Sequence, residues 1–258
     1  MNFRLFLAVL FVSAVGAAQA QQAAKPEETE VWEPAPKVVT PGRANADAPS
    51  DALVLFDGKN LDEWVSTENR NAPANWTVAK GVFTVNKPVG NIETKRSFGN
   101  YQLHLEWRVP ANISGTGQVR GNSGIFLASL GKGDLGYELQ LLDAYQNKTY
   151  VNGMAGSIYK QRIPAANPAR RPGEWQTYDV VWTAPTFAAN GAVATPAFAT
   201  VFFNGVLVQN HVALAGPTVY IGKPAYQQPH GPAPIKLQAH GDKSEPLSFR
   251  NIWVRELP

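Results

Sequence analysis

The sequence predicts an all-β chain, a two-sheet antiparallel β-sandwich of the jelly-roll kind. Three observations point there. About a dozen short stretches rich in Val, Ile, Phe, Tyr, Trp and Thr recur with turn residues between them. No segment carries apolar residues at helical spacing for three turns. Twenty-two Gly and 20 Pro supply the turns that so many strands require. At 258 residues the chain has room for one large β domain, and its 12 Phe, 8 Tyr and 7 Trp can fill a core.

The order of segments begins with an export signal. Asn2 and Arg4 precede the apolar run Leu5–Ala17, and Ala18-Gln-Ala20 has the small-x-small pattern of a cleavage site. The run is short for a membrane span, and no later segment is long enough for one. Residues 1–20 are therefore expected to be removed after Ala20, leaving an exported, periplasmic or extracellular protein. Loss of Arg4 takes the formal charge from +3 to +2. Residues 21–50, interrupted by Pro26, Pro34, Pro36, Pro41 and Pro49, are expected to form a flexible or extended leader.

The domain proper is expected over 51–258. Its strands are predicted at Ala52–Phe56, Trp76–Ala79, Val82–Val85, Tyr101–Val109, Gly124–Ala128, Gly136–Asp143 and Ser157–Tyr159. They continue at Thr177–Thr183, Ala199–Phe203, Val206–Val212, Ile235–Gln238 and Leu247–Val254. Along Tyr101–Val109 the alternation is clean: Leu103, Leu105 and Trp107 take one side, His104, Glu106 and Arg108 the other. Trp107, Trp182 and Trp253 are expected in the core. Asn204-Gly205, between two apolar runs, predicts a hairpin with a type I′ turn.

Composition removes several classes of function. Without cysteine there is no thiolate nucleophile and no thiolate-bound metal. The small net charge and the lack of a Lys/Arg block do not indicate nucleic-acid binding. No Gly-x-Gly-x-x-Gly follows a strand, so a nicotinamide site is not expected. Carboxylates, four histidines and hydroxyls remain.

The stretch Gly136-Tyr-Glu-Leu-Gln-Leu-Leu-Asp143 stands out. On a strand Glu138, Gln140 and Leu142 share a face, and a bulge near Leu141-Leu142 would turn Asp143 onto it. A polar wall on a strand this apolar is costly unless it is wet or working. A half-exposed strand with a solvated polar face is the plain alternative.

Several motifs together resemble the secreted bacterial 3-keto-disaccharide hydrolase domain family. They are Leu55-Phe-Asp-Gly-Lys-Asn-Leu61 with Trp64, Gly121-Asn-Ser-Gly-Ile-Phe126, Tyr137–Asp143, Gly156-Ser-Ile-Tyr159, and Ile235-Lys-Leu-Gln-Ala-His-Gly241 with Phe249-Arg-Asn-Ile-Trp253. The resemblance spans Leu53 to Leu257. It implies a concanavalin A-like jelly roll with a carbohydrate cleft, acting on glycosides already oxidised at C3. The final motif often reads Gln-Asp-His-Gly in that family, and Ala239 stands here in place of the acid.

A 3-keto sugar is cleaved by removing the C2 proton, forming an enediolate and expelling the C1 substituent, after which water adds. The site then needs a base, an acid and a group to stabilise the enediolate oxygen. Glu138 is the first choice as base, followed by Asp143, with His240 as acid or ligand. Glu106, Arg120, Asn122, Gln140, Tyr159 and Trp175 are expected to contact substrate. Arg120 is suited to stabilising the enediolate, and Tyr159 and Trp175 to packing against a sugar ring. Glu106 has an alternative as an ion-pair partner of a nearby Arg, and Trp175 one in the core. A divalent metal would have to be assembled from Glu138, Asp143 and His240. A small carbohydrate substrate is implied, and a separate sugar 3-dehydrogenase would have to supply it.

Two other functions fit the same residues. Glu138-x-Gln140-x-x-Asp143 resembles the Glu-x-Asp-x-x-Glu strand of retaining jelly-roll β-glucanases, though Gln140 cannot replace the Asp in acid–base work. A non-catalytic sugar-binding module needs the polar wall and the aromatics but no titrating base.

Overall fold

The side of Tyr101–Arg108 that carries Leu103, Leu105 and Trp107 faces the core, as its alternation predicts, and these three side chains are fully buried. The computed structural model describes residues 25–258; the expected signal peptide lies outside them. In chain order the strands are β1 (Leu53–Phe56), β2 (Trp64–Ser66), β3 (Thr77–Ala79), β4 (Val82–Thr84), β5 (Ile92–Thr94), β6 (Tyr101–Arg108), β7 (Ser123–Ser129) and β8 (Gly136–Leu141). They continue with β9 (Gln176–Thr183), β10 (Thr186–Phe187), β11 (Val193–Thr195), β12 (Phe198–Phe203), β13 (Val206–Ala213), β14 (Lys236–Leu237) and β15 (Ser248–Glu256). The helical turns among the described residues are short 3₁₀ pieces, and none of them is long and apolar enough to cross a membrane.

Two antiparallel sheets form the sandwich. The larger runs β13-β12-β9-β6-β15-β4-β3, with β1 also paired to β15; the smaller runs β2-β5-β14-β7-β8. Aromatic rings fill the space between them, Trp64, Trp76, Phe83, Trp107, Tyr178, Trp182, Phe203 and Phe249 among them. Two buried phenols bridge the sheets. Tyr101 Oη donates to Leu127 O at 2.6 Å and Tyr178 Oη to Gln140 O at 2.9 Å, which ties β7 and β8 to the larger sheet. The hairpin β12–β13 turns at Asn204 (φ 50°) and Gly205 (φ 79°), the positive-φ pair of a type I′ turn.

Three local expectations are corrected. Trp253 is buried, but not between the sheets. The pairing of β15 with β6 shifts between Arg250 and Trp253, around Asn251 at φ 45°, so Ile252 and Val254 enter the core. Trp253 instead lies on the outer face, its ring stacked on His104 with centroids 5.4 Å apart. Ser157–Tyr159 is no strand and makes only isolated bridges through Ile158. Strands β2 and β5 went unrecognised because all three residues of each are buried, which leaves no alternation to read.

The chain divides into two units, one ending at Val38 and one covering Val39–Pro258. In the first, a 3₁₀ turn spans Pro26–Thr29 and the Trp32 indole N–H donates to Glu30 Oε2 at 3.2 Å. The second begins earlier than residue 51. The Ala46 carbonyl accepts from both Asn251 Nδ2 and Trp253 Nε1 at 2.9 Å, and Arg255 pairs with Asp51.

Candidate active site

On the smaller sheet one side of each strand faces the core and the other faces away. Phe126 stands opposite Glu138 and Gly124 opposite Gln140 in the β7–β8 pairing, while Leu139 and Leu141 point into the core. The face turned away from the core therefore carries Glu138 and Gln140. Gln238 joins it where β14 runs on beside β7: its N–H donates to Gly124 O, and its carbonyl accepts from Ser123 Oγ. The segment Gly156–Tyr159 lies along the free side of β8, with Tyr159 N donating to Glu138 O and Gln140 N to Ser157 O.

These elements enclose a cavity of about 190 Å³ lined by Asn122, Asp134, Glu138, Gln140, Tyr159, Thr218, Tyr220, Gln238 and His240. Five of the residues singled out in the sequence meet here: Asn122, Glu138, Gln140, Tyr159 and His240.

Glu138 is almost entirely buried, and its carboxyl accepts no hydrogen bond from a described residue. Burial, with a smaller contribution from the charge of Asp134, pushes its pKa up to about 8. Gly124 leaves the room the carboxyl occupies: a Cβ there would lie 2.6 Å from Glu138 Oε1. Gly124 thus serves close approach inside β7.

The amides around it leave acceptors unmet. Gln140 Nε2 donates to Asn122 Oδ1 at 2.7 Å and to Leu141 O, yet its Oε1 is buried without a partner. Gln238 Oε1 is likewise unpartnered. Two unmet amide oxygens beside a carboxyl call for O–H donors, and the hydroxyls of a sugar supply them.

His240 is oriented by Asp242. His240 Nδ1 lies 2.8 Å from the buried Asp242 Oδ2, and Nε2 lies 3.4 Å from Asn122 Nδ2 at the cavity wall. Burial of the Asp242 carboxyl opposes its charge, but bonds from Ser244, His240 and Lys87 outweigh this and lower its pKa. Ala239 packs against the core, and the carboxylate beside His240 is that of Asp242. Asp134 is held by Asn91, whose Nδ2 donates to Asp134 Oδ1 while its Oδ1 accepts from Ala239 N. Lys236 Nζ fixes the same loop through the carbonyls of Gly131, Gly133 and Leu135.

Four other expected residues lie outside the cavity. Asp143 follows β8, where Leu141 and Leu142 both turn into the core; its Oδ2 lies 2.7 Å from Arg120 Nε, and its Oδ1 accepts from Tyr145 N at 3.0 Å. No bulge brings Asp143 to Glu138, because the chain leaves the sheet instead. Glu106 is on the outer face of the larger sheet, bonded to Arg250 Nε at 2.6 Å and Asn251 Nδ2 at 2.9 Å. Burial would raise its pKa, but His104, Asn251 and Arg250 together lower it to about 2. Trp175 sits on that outer face as well, with the guanidinium carbons of Arg108 and Arg250 at 4.5 and 4.2 Å from its ring centre. Among the described residues no three His, Asp or Glu side chains converge as metal ligands; of the trio proposed from the sequence, Asp143 stands apart.

Asp134, Thr218, Tyr220, Gln238 and Asp242 escaped the sequence reading. Gln238 had a signal, since it stands two residues before His240 in one motif. Thr218 and Tyr220 come from a loop without periodicity, and nothing local marks them.

Residues 51–255 match the model of the 3-keto-alpha-glucoside-1,2-lyase-like domain. A crystal structure of a candidate glycosyl hydrolase from Parabacteroides distasonis shares 53% identity and a TM-score of 0.84, covering 90% of this chain and 97% of that one. Another from the same organism, at 23% identity and TM-score 0.56, covers 80% and 99% and shows the shared fold. No curated protein matches the chain.

Proposed function

The chain belongs to the 3-keto-alpha-glucoside-1,2-lyase-like family of carbohydrate-active proteins, and on that premise we propose that it cleaves glycosides already oxidised at C3, with Glu138 as the base. The observation that carries this is the buried Glu138 carboxyl, unpartnered and held near pKa 8 in a cavity whose two free amide oxygens suit sugar hydroxyls. A base for carbon acid chemistry works best with its pKa near the working pH.

Ionised Glu138 takes the C2 proton. The C2–H electron pair forms the C2=C3 bond of an enediolate, whose oxygen takes up the charge inside the cavity that Asn122 and Gln140 line. The ketone then re-forms, a C1=C2 bond is made and the C1–O bond breaks. His240, oriented by Asp242, gives the proton to the departing oxygen. Addition of water across C1=C2 completes net hydrolysis. A separate oxidoreductase supplies the ketone, and export by the N-terminal signal places the reaction outside the cytoplasm.

Release of a chromophore from a 3-keto-glucoside, measured beside its unoxidised parent, tests this. Cleavage of the keto form alone is the expected result, and equal cleavage of both would overturn the elimination route.

Asp242 acts through His240, so Asp242→Asn should separate positioning from folding. The expected result is a fall in kcat of tenfold or more, below the ~10²-fold or greater cost of losing an acid–base group outright, with KM little changed. A matching rise in KM would assign Asp242 to binding instead.

A further inference from the structure

Resting on the assignment of the cavity to a keto sugar, we propose that the leaving group docks on a tyrosine rim at the cavity mouth and is an aromatic ring rather than a second sugar. At about 190 Å³ the cavity falls below the range that encloses drug-sized ligands, so it takes one sugar ring and the C1 substituent emerges at its edge. Tyr159 and Tyr220 line that edge. Tyr159 Oη lies 2.6 Å from Tyr150 Oη, with their ring centres 6.3 Å apart.

Lys160 gathers the three rings. Its Nζ lies 4.0 Å from the Tyr220 ring centre, 5.6 Å from that of Tyr159 and 5.9 Å from that of Tyr150, and donates to Tyr220 O at 2.6 Å. The rim is therefore fixed before a ligand arrives, which lowers the ordering cost of binding. It is also open: Tyr220 is 71% exposed, the adjoining Ile221 84% and Tyr150 41%.

The chemistry of the rim selects the occupant. Inside the cavity, unmet amide oxygens and carboxyls suit hydroxyls. At the rim the hydroxyls of Tyr150 and Tyr159 bond each other, and one of the three Lys160 N–H groups goes to the Tyr220 carbonyl. Most of the surface the rim offers is ring faces. A second sugar placed there would leave most of its hydroxyls to water, whereas a flat phenolic group buries apolar area against Tyr220.

The test is calorimetric binding to the Glu138→Gln protein, in which glutamine mimics the protonated carboxyl and turnover is removed. The ligands are the 3-keto-glucosides of methanol, phenol and glucose. The phenyl glycoside is expected to bind about tenfold more tightly than the methyl one, and the disaccharide no tighter than the methyl one. Adding Tyr220→Ala, at an exposed side chain whose removal leaves the Lys160 contact to the backbone in place, should bring the ratio of phenyl to methyl affinity down to about one. A disaccharide bound as tightly as the phenyl glycoside, or a phenyl advantage that survives Tyr220→Ala, overturns the rim assignment alone. A protein that binds none of the three overturns the keto-sugar assignment and this inference with it.

Discussion

Replacing Glu138 by Gln is expected to lower kcat on a 3-keto-glucoside by roughly 10²- to 10⁴-fold, the span that a positioned base contributes. The side chain keeps its shape and its place against Gly124, so binding should persist. The pH dependence gives a second check. The base works only when ionised, and its pKa is held near 8. The limb of the wild-type profile that rises with pH should therefore be centred near 8, while the residual rate of the variant should lack that rise. An equal rise in both proteins would remove Glu138 from the role.

Stability should move the other way. Glu138 has a folded-state pKa of about 8 against an ordinary value of 4.5. Between these values the folded protein holds a proton that the unfolded chain has lost, so stability falls as pH rises across that window. Glu138→Gln should recover stability above pH 8, as measured by urea unfolding at pH 5 and pH 9. The price of a base poised near neutrality is a carboxylate buried without a partner.

The sequence revealed faces more readily than sheets. Alternation in Tyr137–Leu141 put Glu138 and Gln140 on one polar side, and the structure keeps them there. The same logic put Glu106 on a polar face, correctly, but nothing in a strand's own residues says which sheet it joins. Glu106 and Trp175 consequently belong to the outer surface of the larger sheet, paired with Arg250. Trp253 shows the limit of period-two counting, because one irregularity at Asn251 reverses every side chain beyond it. Asp134 and Tyr220 reach the cavity from loops held by distant partners, Asn91 and Lys160. Contacts so far apart in the chain leave no local pattern.

Gly136→Ala is expected to be the most damaging single methyl addition in the motif around Glu138. Gly136 opens β8 at φ 142°, a conformation that side chains rarely adopt, and an added Cβ would run into the Ala128 carbonyl oxygen. Backbone strain and overpacking together should cost about 2–5 kcal/mol, read as a lower urea midpoint with an unchanged slope. The contrast with Gly124 locates the cause. At Gly124 the obstacle is the end of the Glu138 side chain, so Ala there should disturb the carboxyl more than the fold. At Gly136 the obstacle is main chain in the neighbouring strand, and relief requires moving β8 against β7. Because Glu138 is two residues along the same strand, any such movement carries the base away from Gln140's partner Asn122 and from the cavity wall. Gly136→Ala should therefore lose turnover per folded molecule as well as stability. A variant with an unchanged midpoint would mean that β8 can shift freely, and a base held by so mobile a strand could not keep the placement that elimination requires.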